Sequence, residues 1–432
     1  MLKRKIMDEL MSWKETHRKE CLLVKGARQI GKTFIIEEFG KKHYKSYIYI
    51  NFFKEPEQTK IFDGSLSANE IYRRISLYVD NVTFIERDTL IFLDEIQDCP
   101  NARTALKFLA IDGRYDVIAS GSLLGLNYKE IPSVPVGYER QIEMSSLDFE
   151  EFLWAVGKTE QSIAALKYYF DNKTKVEPGI NQEYLAILND YMVVGGMPEA
   201  VNTFIETNNY QEVYRTQRKI LDSYFYDIGH YASASEKPKI AACYRSIPRQ
   251  LAKDYTRFQY KTVEQKATSR KFANSLDWLL GASLIKSCTN VATPMFPLVA
   301  YEKPEQFKIY MHDIGLLTSM FGFETQQAIL KGSLVGPAKG GIYENLIFDI
   351  LSKRGYALYY YKTENSTQEI EFLITKGQSV IPVEVKSKNG ATLSLNGYIE
   401  EYHPPFAYKL ISGNVGVAET KITIPLYMAL FI

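Results

Sequence analysis

The stretch that decides the fold is Gly26-Ala27-Arg28-Gln29-Ile30-Gly31-Lys32-Thr33. A short apolar run, Cys21-Leu22-Leu23-Val24, precedes it and is typical of a buried strand. The residues after it, 34–39, favour the opening of a helix. A strand, a glycine loop and a helix in this order are what a G-x-x-x-x-G-K-[ST] match needs to be a P-loop. The alternative is an ordinary glycine turn between a strand and a helix.

This loop predicts a nucleotide site. Gly26 and Gly31 permit a close backbone approach that a Cβ would obstruct. The amides of Gly26, Ala27, Arg28, Gln29, Ile30, Gly31, Lys32 and Thr33, with the helix N-terminus, present donors to phosphate oxygens. Lys32 is expected to reach the β/γ phosphates and the Thr33 hydroxyl to bind Mg²⁺.

A second motif, Thr89-Leu90-Ile91-Phe92-Leu93-Asp94-Glu95, supports the first. Its continuous apolar run is the pattern of a parallel strand covered on both faces. The two acids fall where the ligand-binding edge of such a sheet lies. Asp94 suits a Mg²⁺-holding carboxylate, and Glu95 suits the group that orients the attacking water. The alternative is a strand that ends in a solvated acidic turn.

Three further residues are candidates for contact with the γ-phosphate. A third apolar strand, 116–119, ends in Ser120-Gly121-Ser122. In additional-strand P-loop ATPases, a polar residue at the end of the strand beside the acidic one has this role, so Ser120 or Ser122 could act here. The alternative is a turn into the next helix. Arg140 could meet the γ-phosphate, in cis or from a neighbouring subunit of a homo-oligomer, or could be a plain surface arginine.

The composition limits the class of protein. The chain has 432 residues, of which 46% are hydrophobic and 24% charged. These fractions are ordinary for a soluble globular protein, and a chain of this length is expected to form about three domains. Its net charge of +1 gives no global indication of nucleic-acid binding. The four cysteines form no C-x-x-C pair, which argues against a zinc site or disulfide framework. No apolar run is long enough for a membrane span, so we expect a cytoplasmic location without membrane contact.

A local excess of positive charge lies between residues 237 and 271. Ten Lys or Arg residues stand there against Asp254 and Glu264. Helix-like segments followed by strand-like stretches suit a winged helix, and contact with the phosphates of double-stranded DNA is the obvious use of such a surface. The alternative is a solvated helix face.

The last hundred residues carry a second candidate site. Strand alternation predicts that Glu371, Glu384 and Lys386 converge, with Glu344 supplied by a preceding helix. Carboxylates with a lysine on adjacent strands can hold Mg²⁺ at a phosphodiester. Glu384-Val385-Lys386 resembles the E-x-K of PD-(D/E)xK nucleases, although Glu371 stands where Asp is usual. The alternative is a nuclease-like scaffold that only binds.

The whole chain resembles the bacterial and archaeal AAA-type ATP-binding proteins in which a P-loop domain precedes a domain of unknown function. The resemblance implies ATP and Mg²⁺ binding without an assigned biological role. Such relatives usually have Gly-Arg after the sensor region, where this chain has Gly137-Tyr138-Glu139-Arg140. The matching segments are GARQIGKT (26–33), IFLDEIQDCP (91–100), SGSLLG (120–125), SLDFEEFL (146–153), GGMPEAV (195–201), FKIYMHDIGLL (307–317), EN (344–345), IEF (370–372) and PVEVK (382–386).

The predicted fold class is α/β: an AAA-type P-loop parallel sheet, then a helical and winged-helix-like region, then a small α/β restriction-endonuclease-like domain. The predicted boundaries are 1–145, 146–235 (helical linker), 236–335 (winged-helix-like) and 336–432. Three functions follow: an Mg-ATPase that rearranges a DNA-contacting C-terminal half, a nucleotide-dependent switch with an inert nuclease-like domain, or an ATP-gated nuclease.

Overall fold

The computed structural model describes residues 2–16, 20–121, 136–252, 257–363, 368–386 and 392–432. The chain forms two compact units. The N-terminal unit contains Arg4–Ser145 and Gly281–Ser283. The C-terminal unit contains Ser146–Leu280 and Leu284–Ile432, with the first residues of the chain.

The N-terminal unit is a parallel α/β sheet. Its helices and strands are α1 (Ile6–Lys14), β1 (Cys21–Lys25), α2 (Lys32–His43), β2 (Ser46–Asn51), α3 (Ala68–Tyr78), β3 (Thr89–Asp94), α4 (Pro100–Asp112), β4 (Asp116–Gly121) and β5 (Glu139–Glu143). The strand order is β2-β3-β4-β1-β5, and every neighbouring pair is parallel. β3 and β4 are buried along their whole length, as the apolar runs predict. The predicted parallel sheet is confirmed.

A buried ion pair fixes the edge strand of this sheet. Arg103 of α4 donates to Glu139 of β5, with Nη2 3.2 Å from Oε1. The two side chains are 1% and 2% exposed. A charge left alone at such a site is costly, because neither water nor a counter-charge compensates it.

Replacing Arg103 with Met is therefore expected to destabilise β5 by about 3 kcal/mol, which corresponds to roughly 100-fold faster amide exchange there. Hydrogen exchange followed by mass spectrometry on the full chain measures it. The Arg103→Met/Glu139→Leu double variant removes both charges and should recover most of the loss. A double variant as labile as the single one would contradict this account.

The C-terminal unit combines helices with a mixed sheet. Its elements are α5 (Phe149–Ala155), α6 (Glu160–Asp171), α7 (Pro178–Val194), α8 (Pro198–Thr207), α9 (Tyr210–Tyr231), α10 (Lys237–Leu251), α11 (Tyr260–Val263), α12 (Ser269–Gly281), β6 (Ile285–Val291), β7 (Glu302–Met311), α13 (Ile314–Phe321), α14 (Phe323–Leu330), α15 (Pro337–Lys353), β8 (Tyr359–Lys362), β9 (Glu369–Lys376), β10 (Ser379–Val385), α16 (Leu393–Tyr402), β11 (Ala407–Ile411), β12 (Gly416–Ala418) and β13 (Lys421–Pro425). The eight strands are ordered β12-β13-β11-β10-β9-β8-β6-β7.

The sheet crosses the boundary predicted between residues 335 and 336. β6 pairs in parallel with β8, with Thr289 beside Tyr359 and Asn290 beside Tyr360. The predicted winged-helix-like and nuclease-like segments therefore share one sheet. Three helices, α10 to α12, do precede the antiparallel β6–β7 pair. That pair is part of the large sheet, whereas the β element of a winged helix is a small separate hairpin.

One buried carboxylate joins three distant parts of this unit. Asp313 Oδ2 accepts from Ser146 Oγ at 2.9 Å and from the Gly196 amide at 2.8 Å. Its Oδ1 accepts from the Leu316 amide at 3.1 Å and so caps α13. A Cβ on Gly195 would lie 2.3 Å from Asp313 Oδ1. Asp313 therefore leaves room only for glycine at position 195.

Candidate functional site

The loop between β1 and α2 has the geometry of a phosphate cradle. Gly31 has φ +89° immediately before α2 begins at Lys32. A Cβ on Gly26 would lie 2.2 Å from the Met144 carbonyl oxygen, so only glycine fits there. Gln29 also lies in the left-handed region, with φ +64°. The loop therefore leads directly into the N-terminus of α2, the end of a helix at which an anion is favoured.

Lys32 lies over this loop. Its Nζ donates to the carbonyl oxygens of Gly26 at 3.0 Å and Ala27 at 2.7 Å. Burial lowers the pKa of Lys32 to about 8, although the carboxylates of Glu95 and Asp94 act in the opposite direction. Both acids of the second motif therefore act electrostatically on the ammonium.

Asp94 is the centre of the hydrogen-bond network at the end of β3. It is 2% exposed. Its Oδ2 accepts from Thr33 Oγ1 at 3.0 Å, Tyr49 OH at 2.9 Å and Asn51 Nδ2 at 3.0 Å. Its Oδ1 accepts from the Glu95 amide and from Ser120 Oγ. Tyr49 and Asn51 share one face at the end of the neighbouring strand β2; they belong to no sequence motif, and only the structure places them at the site.

Glu95 directly follows Asp94 in a left-handed conformation, with φ +53°. A 3-10 turn, Ile96–Asp98, begins after it. The Gln97 amide nitrogen donates to Glu95 Oε2. No sequence pattern predicts this contact, although Gln97 belongs to the segment IFLDEIQDCP. Glu95 and Lys32 are thus brought to the same edge of the sheet.

Of the two serines predicted as candidate sensors, the structure describes Ser120. β4 lies between β1 and β3, as expected for the strand beside the acidic one. Ser120 near its end is fully buried and its hydroxyl is engaged with Asp94. Ser122, the alternative sensor, lies outside the described residues.

Arg140 is not brought to the loop of its own chain. It pairs with Leu22 in β5, whereas the P-loop follows Lys25, and its side chain is exposed. Leu22 and Gly26 are about 13 Å apart along the strand, from the usual rise per residue. A role in cis is therefore not supported by this geometry, and supply from a neighbouring subunit stays a prediction.

The second candidate site is only partly assembled as predicted. Lys386 Nζ lies 2.9 Å from Glu371 Oε1 and 2.9 Å from Glu384 Oε1. Among the described residues, Glu344 does not contact this group; its Oε1 accepts from Lys308 Nζ at 2.6 Å and from the Tyr310 hydroxyl. Lys308 also contacts Glu369 at 2.6 Å. The helix α15 therefore presents Glu344 to β7 rather than to β10.

The surroundings of this second site alter the pKa values of Glu371 and Lys386. Burial, and next the Glu384 carboxylate, raise the pKa of Glu371. Burial alone would lower the pKa of Lys386, but the two carboxylates raise it above its ordinary value. Across the residues that the structure describes, His, Cys, Asp and Glu side chains form no group of three or more that could hold a metal ion.

Family comparisons agree with the N-terminal architecture. Residues 18–153 match the model of an AAA domain, AAA_14. Residues 185–327 and 339–427 match two domains of unknown function, DUF8612 and DUF4143. No curated protein gives a significant match to the chain. Within the described part of the chain, no helix combines the length and apolar character needed to cross a membrane.

Solved structures with weak similarity to this chain include the following three. A Walker-type ATPase of Pyrococcus abyssi has a TM-score of 0.44 and 13% identity over 74% of this chain and 96% of its own. Aeropyrum pernix ORC1, solved in complex with DNA, has a TM-score of 0.32 and 12% identity, and the match covers 76% of this chain and 92% of its own. AMPPCP-bound DnaA of Aquifex aeolicus has a TM-score of 0.27 and 13% identity, and the match covers 64% of this chain and 86% of its own. From its topology, its loop geometry and its family match, the N-terminal part of this chain has the fold and sequence signature of an AAA-type P-loop ATPase domain, and two segments similar to domains of unknown function follow it.

Proposed function

We propose that the protein is an Mg²⁺-dependent ATPase that couples ATP binding or hydrolysis to rearrangement of a DNA-contacting C-terminal half. The observation that carries the first part is the convergence of Lys32, Thr33, Asp94 and Glu95 at one edge of the parallel sheet. Thr33 Oγ1 and Asp94 Oδ2 lie 3.0 Å apart. Hydroxyl and carboxylate oxygens are the hard ligands that Mg²⁺ prefers, so the residues fit the ion.

Different groups of this chain bind the phosphates, hold the Asp94 carboxylate and orient the attacking water. The loop amides and the N-terminus of α2 bind phosphate oxygens. Lys32 exchanges its two carbonyl acceptors for phosphate oxygens, a stronger charge-assisted contact. Bound Mg²⁺ neutralises charge on the β- and γ-phosphates. Tyr49, Asn51 and Ser120 hold the Asp94 carboxylate in place, and Glu95 orients the attacking water and accepts its proton.

The basic stretch supports the DNA-contacting part of the proposal. Nine of its ten basic residues are described; Lys253 lies outside the described ranges. Lys239 is paired with Glu236, and Lys271 with Glu264. The remaining exposed positive charges lie on α10, α11, α12 and the segments between them, a distribution that suits phosphate contacts. They are Arg245, Arg249, Arg257, Lys261, Lys266 and Arg270.

Phosphate release from ATP with Mg²⁺, with and without double-stranded DNA, tests the proposal. We expect Mg²⁺-dependent turnover that increases with DNA. In the Arg249→Ser/Arg270→Ser variant, the log–log salt slope of DNA binding should fall by about 2, since two phosphate contacts are lost. A matched Lys175→Ser/Lys331→Ser variant removes two exposed lysines from other surfaces. Turnover unaffected by DNA, or equal slopes in both variants, would contradict the DNA coupling.

The two other functions have distinct signatures. A nucleotide-dependent switch would change conformation or oligomeric state with ATP at negligible turnover. An ATP-gated nuclease is favoured by one observation: Lys386 Nζ lies 2.9 Å from both Glu371 Oε1 and Glu384 Oε1, which groups one lysine with two carboxylates on adjacent strands. DNA cleavage that requires Mg²⁺ and disappears in Glu384→Gln would support that alternative.

A further inference from the structure

Gln97 joins the candidate catalytic glutamate to the end of β4. Gln97 as a whole residue is 9% exposed. A carboxylate only accepts hydrogen bonds, so the Gln97 end that contacts Glu95 Oε2 is the Nε2 donor. The opposite end, Oε1, is buried and has no hydrogen-bond partner among the described residues. An amide oxygen buried in this way costs about 1–3 kcal/mol unless a donor reaches it.

The direction of Oε1 indicates where that donor is bound. A Cβ built on Gly121 would lie 2.7 Å from Gln97 Oε1. Gly121 ends β4 and pairs with Lys25, the last residue before the P-loop. The oxygen therefore lies at the sheet edge where Lys32, Asp94 and Glu95 converge. Gly121 leaves the space that the Gln97 amide occupies.

We propose that Gln97 is a catalytic residue that binds the attacking water together with Glu95. Its Nε2 fixes the Glu95 carboxylate, and its Oε1 accepts one hydrogen of the water. The water oxygen forms a bond to the γ-phosphorus, and the bond from that phosphorus to the β–γ bridging oxygen breaks. ADP leaves with the electron pair, and one water proton passes to Glu95. The other hydrogen stays on the new phosphate oxygen. This role rests on the proposed ATPase function.

The central test replaces Gln97 with Met, which keeps the length of the side chain and removes the amide. We expect kcat to fall by about 10- to 100-fold while the Kd for ATP stays within about threefold, because the contact forms only around the reacting water. The thermal midpoint of the full chain should not decrease. Asp98→Asn, an exposed change in the same turn, is the control and should leave kcat unaltered.

Two further variants separate catalysis from structural support. Gly121→Ala pushes the Gln97 amide aside without altering it, because the crowded atom is the end of a flexible side chain. It should lower kcat in the same direction. In a Glu95→Gln background, Gln97→Met should change the residual turnover by less than about threefold, because both residues act on the same water.

Several results would overturn this role. One is a kcat within about threefold of the wild type in both Gln97→Met and Gly121→Ala. Another is that the effects of Gln97→Met and Glu95→Gln on turnover are fully additive. A third is that Gln97→Met weakens ATP binding by as large a factor as it lowers kcat. Wild-type protein without Mg²⁺-dependent phosphate release would remove the proposed function and this inference together. Wild-type turnover with an unaffected Gln97→Met variant would remove only this inference.

Discussion

The Lys32→Ala variant is expected to lose at least about 100-fold in ATP affinity. A charge-assisted hydrogen bond contributes about 1.5–3 kcal/mol, and Lys32 is expected to make more than one to the β/γ phosphates. The substitution also removes the bonds that Lys32 Nζ makes to the Gly26 and Ala27 carbonyls, which order the loop. Calorimetric titration of the full chain with ATP and Mg²⁺ measures the loss.

The matched control is Lys41→Ala. Lys41 lies on the same helix, α2, but its side chain is 57% exposed and paired with Glu37. It should bind ATP as the wild type does. If the Lys32→Ala protein binds ATP within about threefold of the wild type, the loop is a structural turn and not a phosphate site.

The Glu95→Gln variant is expected to bind ATP normally and to hydrolyse it about 10²- to 10⁴-fold more slowly. The amide has nearly the same size as the carboxylate but cannot accept a proton from the attacking water. Its phosphate-binding neighbours are unaltered, so affinity should not fall. Single-turnover phosphate release, measured beside ATP affinity, separates the two effects.

Glu86→Gln, an exposed change in the same unit, controls for the loss of one negative charge. Equal losses of ATP affinity in the Lys32→Ala and Glu95→Gln variants would contradict the assignment of ATP binding to Lys32 and of hydrolysis to Glu95. This assignment also fails if Glu95→Gln retains the wild-type rate, since another group would then have to orient the water.

The sequence could predict the N-terminal sheet because its determinants are local. The P-loop and the strand that ends in Asp94-Glu95 each carry their own signal, and parallel strands bring those ends together. Tyr49 and Asn51 could not be identified in this way. They alternate with apolar residues in an ordinary strand, and only the pairing of β2 with β3 places them beside Asp94. Gln97 follows the acids by two residues, but its contact depends on the left-handed turn at Glu95.

The C-terminal half shows where local patterns are insufficient. Alternation correctly grouped Glu371, Glu384 and Lys386, since Val383 pairs with Phe372. Glu344 was expected with them, but a helix can present a side chain to any strand beneath it, and Lys308 is the partner that the structure shows. The glycine-rich segment at 336–341 suggested a domain boundary. Strand pairing across it is a long-range property that composition does not reveal.

The position of Asp313 has a consequence for synthesis of the protein. The described strands of the N-terminal sheet lie between residues 21 and 143, so they are all synthesised before the C-terminal unit begins at Ser146. Ser146 begins the next segment of the chain, and its hydrogen-bond partner Asp313 is synthesised 167 residues later. At ribosomal speeds of about 5–20 residues per second, that delay is roughly 8–33 s. The apolar helices from α5 onward are exposed during this interval, which makes them the segments of the nascent chain that chaperones would be expected to cover.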